Sequence, residues 1–211
     1  MQILLITVAI LALFALIAFA HFYDAKQRND AWTLVAKRLG LSFPSDAIAG
    51  KLEGVELSVR TISRGVGKSR QDFTVIMLKI SGTLPAGISI EPEKALDKLA
   101  KLIGSEDIQL GLPTLDSKLL VRASNENKIR SWAKRPGVER ALRRLVTLSS
   151  YTFHVTGGHL IFERRGIMTN AKDLESLIRE LVAITRDFSQ VPKPQESLDS
   201  SRADEDDVSL W

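Results

Sequence analysis

The 211-residue chain has no cysteine. Disulfides, thiolate metal sites and cysteine nucleophiles are therefore excluded by composition, while the redox character of the compartment is left open. Histidine is scarce too, with His21 beside an apolar run and only His154 and His159 in the remainder. No G-x-S-x-G elbow is present to expose a nucleophilic serine. One further absence concerns residues 63–71, "SRGVGKSRQ", which contain the tail end of a phosphate-binding P-loop signature. Such a loop needs a glycine five residues before the glycine of its Gly-Lys-Ser, and that position holds Ile62. It also needs a following helix, whereas Gln71 and Asp72 lead into a strand-like pattern. The stretch reads as a strand-to-strand turn carrying Arg64, Lys68 and Arg70.

Basic residues are missing at the start. Only Met1 and Gln2 precede residues 3–20, "ILLITVAILALFALIAFA", an 18-residue run whose one hydroxyl is Thr7. As a helix it covers about 27 Å, close to the ~30 Å hydrocarbon core of a bilayer. In lipid an isolated segment satisfies its backbone only as a helix, so the run predicts a transmembrane anchor over residues 1–23. The alternative is a secretory signal cleaved at the A-x-A-like Ala18-Phe19-Ala20, which would leave a secreted or periplasmic domain. Against it stand the missing basic n-region and the length of the run. Lys26, Arg28, Lys37 and Arg38 follow the run, so the positive-inside bias puts the N-terminus outside and the body in the cytoplasm, at the cell inner membrane.

The body, residues 24–188, has room for one medium domain. "DAWTLVAKRLG" places Ala31, Trp32, Leu34, Val35 and Leu39 at helical spacing, with Gly40 as a stop, and this helix can simply continue the anchor. "GKLEGVELSVRTI" predicts two strands around Glu53-Gly54, and "DFTVIMLKISG" a central one, apolar on both faces. "GISI" predicts a short strand, "EPEKALDKLAKLIG" an amphipathic helix, and residues 117–123 another strand. Residues 127–135 and 137–148 read as helical pieces broken at Pro136-Gly137, and "YTFHVT" and "HLIFER" as a hairpin through Gly157-Gly158. Asn170 opens a last helix with the stripe Leu174, Leu177, Ile178, Leu181, Val182 and Phe188. Strand groups mix with helices without a βαβ rhythm, which is an α+β domain with an antiparallel sheet. From 189 to 211 apolar periodicity vanishes, which predicts a disordered acidic tail.

Charge is unevenly spread. The tail holds two cations against six acids, −4, so the rest of a chain of net charge +4 carries +8. A basic body suits an anionic partner. The densest basic stretch, residues 128–144, holds Lys128, Arg130, Lys134, Arg135, Arg140, Arg143 and Arg144 around Trp132, with Glu139 its only acid, four residues before Arg143 and able to pair with it. Trp132, Val138, Ala141, Leu142 and Leu145 have core spacing, which leaves the cations outward. Candidate contacts to an anionic surface are Arg64, Lys68, Arg70, Arg130, Lys134, Arg135, Arg140 and Arg143; next to a bilayer, lipid headgroups or an acidic protein are nearer partners than nucleic acid. His154, His159 and Glu163 share one hairpin face, too few ligands for a zinc site. Asp107 and Asp116 read as turn formers. No catalytic, cofactor or metal site is expected.

Several landmarks in order, "WTLVAKRLGLSF", "GKLEGVELSV", "EDIQLGLPTLDSKLLVRAS" and "GVERALRRLV", resemble membrane-anchored bacterial proteins that carry a domain of unknown function. The resemblance covers roughly residues 30–165. The resemblance implies an acidic residue and a Phe near the 111–116 turn, and there this chain departs from it with Leu112 and Leu115. It implies no activity, ligand or catalytic residue. The expectation is a non-catalytic binding or scaffolding module at a membrane surface; the alternative is an enzyme or transport accessory whose site is built from scattered polar residues.

Overall fold

The structure, a computed structural model, describes the backbone of residues 2–93, 107–148 and 151–189, and their side chains except at 2–14, 17, 18, 20–22, 24 and 68. Of the helix expected over residues 91–104, Glu91 and Pro92 instead close a short strand and residues 94–104 lie outside the described residues, as does the acidic tail from 190 onward. Ser189, expected in that tail, ends the last helix. The expected α+β class holds: helices combine with a seven-stranded sheet that is antiparallel throughout.

A single helix α1 runs from Gln2 to Leu39 and ends at Gly40, whose φ of +66° suits a residue without Cβ. The apolar run and "DAWTLVAKRL" are thus one helix, about 57 Å long at 1.5 Å per residue. Its last third packs on the domain through Ala31, Trp32, Val35, Ala36 and Leu39. Leu34, expected in that stripe, is instead 40% exposed, because the buried face continues through Ala36 on the other side of Val35. Among the described residues no helix is long and apolar enough to cross a membrane; most side chains of the run 3–20 are not among them.

Strands β1 (Ala47–Leu52) and β2 (Val55–Arg64) form a hairpin through Glu53 and Gly54, both at positive φ, the two-residue turn whose twist matches that of the strands. β3 (Gln71–Lys79) follows, then β4 (Ser89–Pro92), helix α2 (Pro113–Asp116), β5 (Leu119–Arg122), helices α3 (Glu126–Ala133) and α4 (Pro136–Thr147), the hairpin β6 (Thr152–Thr156) and β7 (His159–Arg165), and helix α5 (Ala171–Ser189). The strand order is β1-β2-β3-β7-β6-β4-β5. The expected break between α3 and α4 falls earlier than Pro136: α3 ends at Ala133, and Pro136 is the first residue of α4, where its missing N–H costs nothing.

Period-two alternation sends Ile48, Leu57, Val59, Ile76, Leu78, Leu160, Phe162, Phe153, Val155, Ile90 and Val121 to one face. The buried stripes of α1, α3, α4 and α5 join the same core, so the helices cover that face. Asn170 caps α5 as expected, its Oδ1 accepting from the Lys172 and Asp173 amides. The other face carries cross-strand ion pairs: Glu56 with Lys79 at 3.5 Å, Arg64 with Glu163 at 2.7 Å, and Arg122 with Glu91 at 3.0 Å. Both edges are blunted, β1 by the Ser42–Ala49 bridge and β5 by the bond from the Ile108 amide to the Val121 carbonyl.

Candidate functional site

Strand directions give the domain two ends. At the far end lie the β1–β2 turn, the Lys79–His159 pair and the C-terminus of α5, tied to that turn by Arg186 and Glu53 at 2.5 Å. At the near end lie the β2–β3 loop, the start of β3, the end of β7 and the segment leading into α5. Helix α1 enters at this near end: the Trp32 indole donates to the Met168 carbonyl at 2.8 Å, and Gln27 shares a cleft with Gln71, Asp72, Arg165 and Thr169. The residues of α1 before Gln27 therefore continue away from the near end. Their described large side chains, Leu16, Phe19 and Tyr23, are all exposed, and the rings of Phe19 and Tyr23 stack at 6.4 Å.

The β2–β3 loop is closed and tipped by an apolar residue. Gly65 has φ +93°, and a Cβ there would collide with the Ser69 carbonyl oxygen. The turn Gly67–Ser69 is a single 3₁₀ turn in which the Ser69 amide donates to Val66 O and the Arg70 amide to Gly67 O, both at 3.2 Å. Those two amides are therefore spent internally, which removes the donors a phosphate loop would need; "GVGKS" is the strand-to-strand turn expected. At the loop base Ser63 Oγ donates to Asp72 Oδ1, and Arg70 donates to Ser63 Oγ at 3.1 Å. Val66 stands at the tip with 90% of its surface in solvent, and Ile167 nearby is 37% exposed.

The eight cations expected on an anionic surface fall into two groups. Arg64, Lys68 and Arg70 lie at the near end. Arg64 is held bidentately by Glu163 at 2.8 and 2.7 Å and sits over the Phe73 ring; the carboxylate raises its already high pKa. Arg70 has no carboxylate partner among the described residues, and the side chain of Lys68 is not among them. Arg130, Lys134, Arg135, Arg140 and Arg143 lie elsewhere, on α3, α4 and their junction, where Trp132 stacks on Phe188 at 5.7 Å near the C-terminus of α5.

Most of this second group is engaged. Arg130 pairs with Glu126 at 2.5 Å and donates to the Gln109 carbonyl. Arg140 grips the buried Asp187 at 2.9 and 2.6 Å, which raises its pKa through hydrogen bonding and charge. Arg143 closes on Glu139, as its spacing indicates, and Arg144 on Glu180. Lys134 and Arg135 alone lack a carboxylate partner among the described residues. Arg140 and Arg144 thus join α4 to α5, while Arg143 is held within α4 and by the Thr114 hydroxyl of α2.

Other expectations resolve plainly. Asp116 accepts from the Leu110 and Leu112 amides at 2.7 and 2.9 Å and shapes the turn as expected, whereas Asp107 accepts from the Val121 amide and ties its segment to β5 instead. His154 and His159 share the outer face in the expected register, and Glu91 of β4 stands 3.5 Å from His154, a neighbour that hairpin reasoning missed. Among the described residues no three His, Asp or Glu side chains converge as metal ligands.

Reasoning from sequence also missed the near-end cleft. It measures about 440 Å³ and is lined by Gln27, Gln71, Asp72, Arg165, Gly166, Ile167 and Thr169. Its only signal in the sequence is the charged pair Arg164-Arg165 at the end of a hairpin strand. Compared with known proteins, the chain matches no family model and no curated protein.

Proposed function

We propose that the chain is a single-pass protein of the cell inner membrane, N-terminus outside, whose α+β domain rests its near end on the cytoplasmic headgroup layer and acts there as a non-catalytic binding or scaffolding module. The observation that supports this most is the coincidence of three features at one end: the exit of α1, the Val66-tipped basic loop, and the cations Arg70 and Arg165, which have no acidic partner among the described residues. From Tyr23, where the expected anchor ends, to Gln27 at the cleft is four helical steps, about 6 Å. The headgroup layer on one side of a bilayer is roughly 5–8 Å deep. The rim of the domain therefore meets that layer directly.

A Lys or Arg close to an anionic leaflet contributes about 1 kcal/mol and loses it beyond a Debye length of ~8–10 Å. Arg70, Arg165, Lys26 and Lys68 together supply several kcal/mol that the engaged α4 arginines do not. An acidic protein lying on the membrane is the other partner such a rim accepts. A C-terminal reporter active only in the cytoplasm tests the orientation, and activity only outside reverses it. Intact mass tests the anchor, because a mature chain beginning at His21 would mean cleavage. For the rim, residues 24–211 retain every α1 side chain that packs on the core. This fragment is expected to float with vesicles containing anionic lipid, to detach as salt rises, and to lose binding in Lys68→Glu/Arg70→Glu. Flotation independent of lipid charge removes the proposal.

A further inference from the structure

The near-end cleft has a charge arrangement that suits a dipolar ligand. Asp72 opens β3 and Arg165 closes β7, and the two strand ends are laced together by the Gly166 amide on Asp72 O at 2.7 Å and the Thr74 amide on Gly166 O at 3.1 Å. Both residues line the same cleft, yet they form no ion pair with each other. Asp72 spends Oδ1 on the Ser63 hydroxyl, and Oδ2 has no partner among the described residues. Arg165 is exposed and has no carboxylate partner among the described residues. Two opposite charges kept open across one cleft leave room for a ligand that carries both signs in the reverse order.

Resting on the membrane reading above, we infer that this cleft takes the headgroup of one bilayer phospholipid bearing a primary ammonium, with its phosphate on Arg165 and its ammonium on Asp72. A guanidinium presents paired donors to phosphate oxygens. A primary ammonium has three N–H donors for a carboxylate, whereas a trimethylammonium has none. A headgroup with negative charge alone would meet Asp72 as a repulsion, so the carboxylate acts as the selective element. Gln27, Gln71 and Thr169 add amide and hydroxyl groups around the same cleft, and Ile167, also in its lining, stands partly exposed. The volume lies within the roughly 300–1,000 Å³ of small-ligand sites. The cleft wall contributed by α1 sits about 6 Å past the end of the expected anchor at Tyr23, the depth of headgroups and not of bulk water.

The test uses the full chain in mixed micelles holding equal amounts of phosphatidylethanolamine, phosphatidylcholine and phosphatidylglycerol, with retained lipid counted by native mass spectrometry. Wild type is expected to keep one phosphatidylethanolamine at about tenfold preference over phosphatidylcholine. Asp72→Asn, which preserves an acceptor for Ser63, is expected to erase that preference, and Arg165→Gln to lower retention of all three lipids. Equal retention of the ethanolamine and choline lipids by wild type overturns the inference without needing any variant. So does an unchanged preference in a folded Asp72→Asn, its fold checked by its urea midpoint. Soluble phosphoethanolamine at the same concentration is expected not to displace the lipid; displacement would make the ligand a free headgroup and overturn the lipid assignment. Failure of the membrane reading shows separately, as a full chain absent from the membrane fraction.

Discussion

Replacing Trp32 by alanine probes the joint between anchor and domain. Trp32 has no exposed surface, and its indole N–H is bonded to the Met168 carbonyl at 2.8 Å, 136 residues along the chain. A buried tryptophan removes roughly 150–250 Å² from water, which at about 25 cal/mol per Å² is ~4–6 kcal/mol for the whole side chain. Alanine keeps part of that, while the cavity and the orphaned Met168 carbonyl add to the loss, so the net cost is about 3–5 kcal/mol. For a domain of this size each kcal/mol moves Tm by roughly 2–4 °C, so a drop of order 10 °C is expected. Trp32→Phe, which fills most of the space but cannot donate, should cost about 1–3 kcal/mol. Urea unfolding of the full chain in detergent measures both, followed through Trp132, which is buried and stacked on Phe188. A loss below about 1 kcal/mol in Trp32→Ala would refute the reasoning, because α1 would then hang from the domain without belonging to its core.

The remaining predictions are smaller. Gly65→Ala, with φ of +93° and a Cβ driven onto Ser69 O, is expected to distort the β2–β3 loop and weaken vesicle binding, while the urea midpoint falls by no more than ~1–2 kcal/mol in equivalent stability. Asp116→Asn keeps the shape but can offer only one acceptor oxygen to the Leu110 and Leu112 amides, for a loss of about 1–3 kcal/mol in the same assay. Glu175 is held below the ordinary glutamate pKa, first by its hydrogen bond with Arg179 and then by Arg38 of α1. A depressed carboxylate contributes stability above its unfolded pKa and loses it as pH falls through the folded one. The stability gap between wild type and Glu175→Gln should therefore be present at neutral pH and vanish below the ordinary glutamate range; a gap independent of pH would show that the pairs contribute nothing.

Local features were legible in the sequence because they rest on local physics. Gly157-Gly158 and Glu53-Gly54 mark turns that require positive φ, Asn170 marks a cap, and the stripe from Leu174 to Phe188 is buried as its spacing indicates. What stayed hidden is non-local. Strand order places β4 between β6 and β5, a pairing across some sixty residues that no turn signals. The basic stretch read as a surface patch because its acids lie far along the chain: Asp187 is 47 residues from Arg140, and Glu180 is 36 from Arg144. Leu34 misled because a helix needs only one buried stripe, and the choice between Leu34 and Ala36 depends on what α1 packs against. The near-end cleft draws one wall from α1, one from β3 and one from β7, so only the fold assembles it.

The absence of cysteine makes the central claim directly measurable, since a single engineered thiol is the only one in the chain. Val66→Cys at the loop tip and Glu53→Cys at the far end, each carrying a spin label, can be compared in the full chain reconstituted into vesicles with anionic lipid. If the near end rests on the headgroups, the label at 66 is shielded from a water-soluble relaxation agent and sits at interfacial depth, while the label at 53 remains fully accessible. Equal accessibility at both positions would contradict the account.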